Sequence, residues 1–167
     1  FLNENFHVLG VLGDHSGLQD LIENRMLFED RGPRLQPHGE IRFLSFENEQ
    51  CPDDWMGMDL IQTLILTHPR QLVLRTLQWQ AIAEWVDAGG DLIVLADPDR
   101  DHPFAPELDA LLPVEPVGER RVTVLPAVAD WSGDAVVFPE GITVAESLVR
   151  RGSVLLWEDQ VPLVVES

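Results

Sequence analysis

The stretch Thr76–Asp97, TLQWQAIAEWVDAGGDLIVLAD, constrains the fold more than any other part of the chain. Thr76 can act as an N-cap, its hydroxyl accepting from a backbone N–H of the first helical turn. Leu77, Ala81, Trp85 and Ala88 then recur at helical spacing, and Ile82 and Val86 widen the apolar stripe. Gly89 stands where a helix ends in a left-handed residue, with Gly90 loosening the turn. Leu92 to Ala96 is a short, wholly apolar run, the mark of a strand covered on both faces. A helix feeding a buried strand through a Gly-Gly turn is half of a βαβ unit.

The segments before this one extend the same pattern. Phe6–Leu12 is expected as a first strand, closed by Gly13-Asp14. Ser16 could cap a helix carrying Leu18, Leu21, Ile22, Arg25 and Met26, and Gly32-Pro33 to Gly39 is a breaker-rich loop. Ile41–Phe46 alternates as a second strand, from which Glu47-Asn48-Glu49 leads out. Cys51 to Trp55 forms a turn entering a short helical segment. Ile61–Thr67 is a third strand, with His68-Pro69 at its carboxyl end. Strands alternating with helical segments argue a mainly parallel α/β sheet.

Beyond Asp97 the texture changes. Phe104–Leu112 can hold a short helix with Pro106 in its first turn. From Pro113 the chain is punctuated by Pro and Gly and rich in Val: VTVLPAV, AVVFP, ITVA, SVLLW and PLVVE read as short strands. Glu158-Asp159-Gln160 suggests a hairpin between the last two. The expectation is one domain over residues 1–167, with a β-rich carboxyl third extending or flanking the sheet.

Charge excludes several functions. Asp and Glu number 29 against 11 basic residues, all Arg, for a net charge of −18. Such a surface repels phosphate backbones and anionic headgroups, so nucleic-acid binding and attachment to a membrane surface are disfavoured. The lack of Lys excludes Schiff-base chemistry and a Walker-type phosphate loop. A lone Cys51 forms no intrachain disulfide. No apolar run reaches the roughly 18 residues a membrane span needs. A start at Phe1 without a signal peptide is read as a mature or excised fragment.

Asp97-Pro98-Asp99-Arg100-Asp101 is the sharpest polar cluster, just past the carboxyl end of an apolar strand where open α/β sheets bind ligands. Asp97, Asp99 and Asp101 could hold a hard cation such as Mg²⁺ or Ca²⁺. A strand followed by D-x-D also resembles the haloacid-dehalogenase phosphatases, although Asp101 replaces their usual Thr or Val and a downstream basic residue could only be Arg. Against this stands a solvated acidic loop in a protein acidic everywhere, and that is the expectation. Cys51 as a nucleophile would need a nearby His and an oxyanion hole, and its acidic neighbours raise its pKa. His7, His15, His38, His68 and His102 lack zinc spacing. Trp79 and Trp85 divide between core and helix surface, while Trp55, Trp131 and Trp157 anchor loops or a partner surface. Neither GxSxG nor GxGxxG occurs.

From Pro52-Asp53-Asp54-Trp55 through the apolar strand and a helix ending Trp85-Val86-Asp87-Ala88-Gly89-Gly90, then a further strand, the chain resembles the class I glutamine amidotransferase-like domains of multidomain bacterial membrane proteins. Leu111-Leu112-Pro113 and VLLWEDQVPLVVE look like the same group, so the resemblance spans about residues 50–167. It implies a flavodoxin-like parallel sheet flanked by helices. Active members carry a G-x-C-x-G nucleophile elbow where this chain reads Leu95-Ala96-Asp97-Pro98-Asp99, and a His-Pro-Glu-like segment whose nearest match here is Phe138-Pro139-Glu140. The resemblance therefore implies no catalytic residue and no cofactor. The expected function is a structural or protein-interaction module of a larger, membrane-anchored bacterial protein, on the periplasmic side. Its partner would be another protein or a neighbouring domain. The alternative is a hydrolase or metal-binding domain using Asp97, Asp99 and Asp101.

Overall fold

The computed structural model describes residues 6–14, 40–95, 104–132 and 137–166. The chain divides into two compact units, Phe1–Ala96 and Asp97–Ser167. The helix expected after Ser16 and the loop Gly32–Gly39 lie outside the described residues.

In the first unit β1 (Phe6–Leu12), β2 (Glu40–Phe46), β3 (Thr63–Thr67) and β4 (Asp91–Leu95) form one wholly parallel sheet in the order β2-β1-β3-β4. The four expected strands are present and parallel. Every residue of β3 is buried, the apolar Leu64–Leu66 together with Thr63 and Thr67 at its ends, the latter two hydrogen-bonded through their hydroxyls. Between β2 and β3 run two single-turn 3-10 helices, Asn48–Gln50 and Trp55–Met58. The Asp54 carboxylate caps the second, accepting from the Met56 N–H at 2.9 Å.

Helix α1 (Thr76–Asp87) departs from expectation at its start. Arg75, not Thr76, is the N-cap, because the Gln78 carboxamide oxygen reaches back to accept the Arg75 N–H at 2.8 Å. The buried residues are Gln78, Trp79, Ala81, Ile82 and Trp85, whereas Leu77 is 58% exposed. The inward face is therefore rotated from the purely apolar stripe. Gln78 explains the rotation: its Nε2 donates to the Asn48 carbonyl at 2.8 Å and the Cys51 carbonyl at 2.6 Å.

The end of α1 follows the expected geometry. Gly89 takes φ +104, its N–H bonds to the Val86 carbonyl, and the Gly90 N–H bonds to the Trp85 carbonyl. This is the double closure of a Schellman motif. Gly90 also lies against the Trp85 indole, where a Cβ would come within 2.3 Å of the ring. β4 is a correction: Ile93 and Leu95 are 44% and 45% exposed, so the strand is not covered on both faces. It stands last in the sheet order, pairing with β3 alone among the described strands.

In the second unit, α2 (Pro106–Leu111) begins on Pro106 as expected. The separate short strands are replaced by one long antiparallel ladder, β5 (Val114–Val124) with β6 (Val137–Val149). Pairing jumps from Val122↔Ile142 to Val124↔Val137, so Phe138–Gly141 bulges out, with Gly141 at φ +74. The bulge accommodates Pro139 without ending the strand. PAV opens a helix, α3 (Pro126–Ser132), rather than completing a strand. β7 (Ser153–Glu158) and β8 (Val161–Glu166) form the expected hairpin. Its two turn residues, Asp159 and Gln160, have φ +45 and +73, the sign pattern of a type I′ turn.

Two polar clasps hold this unit. Arg150 and Arg151 grip the carboxyl end of α2: Arg150 Nη1 donates to Asp109 Oδ2 at 3.1 Å, and Arg151 Nη2 to the Ala110 and Leu111 carbonyls at 3.1 and 2.6 Å. Cations at a helix carboxyl end satisfy its orphan carbonyls and complement its dipole. Buried Glu158 accepts the Ala127 N–H at 2.8 Å through its carboxylate, while its carbonyl accepts from Arg120 Nη2 at 3.1 Å. One residue thus joins β5, α3 and the β7–β8 hairpin.

Candidate functional site

The order β2-β1-β3-β4 fixes where a parallel sheet of this kind has its crevice. The chain leaves β1 for β2 on one side, and β3 lies on the other, so the topological switch falls between the carboxyl ends of β1 and β3. Gly13-Asp14 follows β1, and His68-Pro69 follows β3. These strand ends are in close contact: Thr67 Oγ1 donates to the Leu12 carbonyl at 3.4 Å. A Cβ on Gly13, whose φ is +108, would lie 2.5 Å from the Thr67 carbonyl oxygen. Only glycine fits there. His68 takes φ +46, a sparsely populated conformation for a residue with a side chain. The exposed Asp14 and His68 thus mark this rim.

Asp97, Asp99 and Asp101 lie outside the described residues. Among the described residues no group of three or more His, Cys, Asp or Glu is placed to hold a metal ion. His7 is bonded through Nε2 to Thr63 Oγ1 at 2.9 Å, whereas His15, His38 and His102 lie outside the described residues.

Cys51 follows the first 3-10 turn and is buried. Burial, reinforced by the negative charge of Asp53 and opposed by Arg75, pushes its thiol up to about 11. A thiol so protonated at neutral pH is a poor nucleophile. Phe138-Pro139-Glu140 occupies the bulge of β6, where the Glu140 carbonyl accepts from the Arg121 guanidinium. Trp79 and Trp85 are both buried, so Trp85 belongs to the core. Trp55 and Trp157 are exposed.

Of the apolar surface of the hairpin, the sequence pointed to Trp157 alone and not to Leu155 or Val164. Exposed positions alternate along both strands: Ser153, Leu155 and Trp157 on β7, Val164 and Glu166 on β8. Leu155 and Trp157 are 60% and 52% exposed. The continuous apolar run Val154–Trp157 conceals which residues face outward, since no polar alternation marks them. Gln78 was equally concealed, although a Gln three residues after the cap is a legible signal.

No helix among the described residues is long and apolar enough to cross a membrane. The chain matches no protein-family model, no curated protein and no solved structure in the comparisons made.

Proposed function

We propose that the chain is a catalytically inactive, amidotransferase-like α/β domain of flavodoxin-like type, serving as a structural or protein-interaction module of a larger, membrane-anchored bacterial protein. The parallel sheet with β1 at its centre is compatible with that fold. The observation that carries the functional reading is the exposure of large apolar side chains, Leu155, Trp157 and Val164, on the β7–β8 hairpin. Apolar groups gathered at a surface mark contact with other proteins. The buried, protonated thiol of Cys51 supports the non-catalytic part.

A glutaminase assay tests the non-catalytic part. Ammonia release from glutamine should not exceed the buffer control, and saturable turnover abolished by Cys51→Ala would overturn the reading. Site-specific photocrosslinking from position 157 in the parent protein tests the interaction part; it should give one discrete protein adduct, absent when the crosslinker is placed at the buried position 85. Saturable one-site Mg²⁺ or Ca²⁺ binding, lost in the Asp97→Asn/Asp99→Asn variant, would favour the hydrolase or metal-binding reading instead.

A further inference from the structure

The hairpin face carries charge as well as apolar area. Ser153 is paired with Glu166 across the ladder, so Glu166 stands at one end of the exposed row that runs through Leu155 to Trp157. Asp159, in the turn, stands at the other. Both carboxylates are exposed, and neither is in an ion pair among the described residues. The arginines of this unit among the described residues are engaged elsewhere. Arg120 bonds to Glu158, Arg121 to Glu140, Arg150 to Asp109 and Glu115, and Arg151 to the end of α2. The face is therefore an apolar row bracketed by two carboxylates that no described arginine pairs, in a chain of net charge −18.

We propose that this face docks an extended, cationic polypeptide segment in which basic residues bracket two apolar ones. The inference rests on the interaction-module reading and names the partner's chemistry. Leu155 lies at a bulge of β7, where the pairing passes from Val154↔Val165 to Leu156↔Val164, and it is exposed together with Trp157. In an extended partner segment alternate side chains point the same way, about 7 Å apart, so two apolar side chains on one side can meet both. Basic residues beyond the apolar pair then meet Glu166 and Asp159. A cation near Asp159 also reaches the half-exposed Trp157 indole, whose face attracts positive charge. An anionic partner is repelled, and an anionic membrane surface likewise.

The test is calorimetric titration of the whole chain with the peptide Lys-Thr-Leu-Thr-Leu-Thr-Lys and with its counterpart bearing Glu at both ends. The basic peptide should bind saturably at one site and the acidic one should not. Affinity should fall about fivefold or more in Asp159→Asn/Glu166→Gln, which removes two exposed ion pairs. It should also fall as salt rises from ~0.05 to ~0.5 M. Leu155→Ser should weaken binding further, while Leu77→Ser, in an exposed position of the other unit, should not. Equal binding of both peptides, indifference to the double carboxylate change, or binding to anionic vesicles in preference to the peptide would each overturn the proposal. Failure to bind either peptide, with a discrete crosslink still formed from position 157, would sink the cationic segment alone. Loss of that crosslink as well would sink the interaction module.

Discussion

Removing the Gln78 side chain should destabilise the first unit more than removing any exposed apolar group on α1. Gln78 is 1% exposed and makes three hydrogen bonds, at 2.6, 2.8 and 2.8 Å. In Gln78→Ala the Cys51 carbonyl and the Arg75 N–H lose their partner, and the Asn48 carbonyl keeps only the longer bond from the Cys51 N–H at 3.3 Å. A buried group left unsatisfied costs ~1–3 kcal/mol, and a lost bond at a partly hydrated group ~0.5–1.5 kcal/mol. Taking one of the first kind and two of the second gives ~2–6 kcal/mol, and about 3 kcal/mol is the expected value. Gln78→Glu keeps the shape and the acceptor for Arg75 but turns an oxygen toward two carbonyl oxygens, so it should cost at least as much at neutral pH. Leu77→Ala, one residue away and exposed, should stay within ~0.5 kcal/mol. Urea unfolding followed by far-UV circular dichroism reads these as midpoint shifts at constant slope. If Leu77→Ala proved the costlier change, the assignment of the helix's inward face would be wrong.

Three further outcomes follow from the same packing. Trp85→Ala should cost ~3–5 kcal/mol, and Gly90→Ala should also destabilise because its methyl group meets the indole; the double variant should cost less than the two combined, as a thermodynamic cycle would reveal. The Cys51 thiol should resist alkylation in the native state at neutral pH and react on unfolding. Since its pKa is raised from 9.0 to about 11 by folding, the native state holds the proton more tightly. This contribution to stability is intact below pH 9 and lost as pH rises toward 11, and Cys51→Ala should flatten that decline. Glu158→Ala should cost about 1 kcal/mol or more through loss of the cap on α3, and Glu158→Gln less, because the amide oxygen still accepts from Ala127; amide exchange at Ala127 would report both.

Backbone chemistry was legible where single residues dictate it. Gly89 declared a left-handed helix end, and Asp159-Gln160 between two Val-rich runs declared a hairpin turn. Strands alternating with helical segments up to about residue 97 indicated a parallel sheet. What failed depends on partners distant in sequence. Leu77 and Gln78 exchange the roles expected from their polarity because the Gln78 amide finds the carbonyls of Asn48 and Cys51 on the inward side. β4 reads as covered on both faces, yet exposure follows its place in the strand order, which no local pattern encodes. β5 and β6 looked like fragments because Pro139 and Gly141 normally end strands, and a bulge is visible only once both strands are aligned. Of the site, the acidic cluster at Asp97 drew attention through composition, whereas the hairpin's apolar row needed side-chain directions.

The central position of β1 also sets the order in which the molecule can assemble. Its pairings, Phe6 with Glu40 on one edge and Leu9 with Thr63 on the other, close long loops before any bond rewards them. By contrast Glu158 meets Val161 across a two-residue turn. The hairpin can form in microseconds, while the parallel sheet waits on the slow, non-local search that limits folding of such topologies. During synthesis β1 precedes both partners, and its second edge stays open until Thr63–Thr67 has emerged. An apolar strand with two open edges is an aggregation hazard for that interval. Expression at low temperature, or with a chaperone that shields extended apolar segments, should therefore raise the soluble yield through this first strand and not through the hairpin.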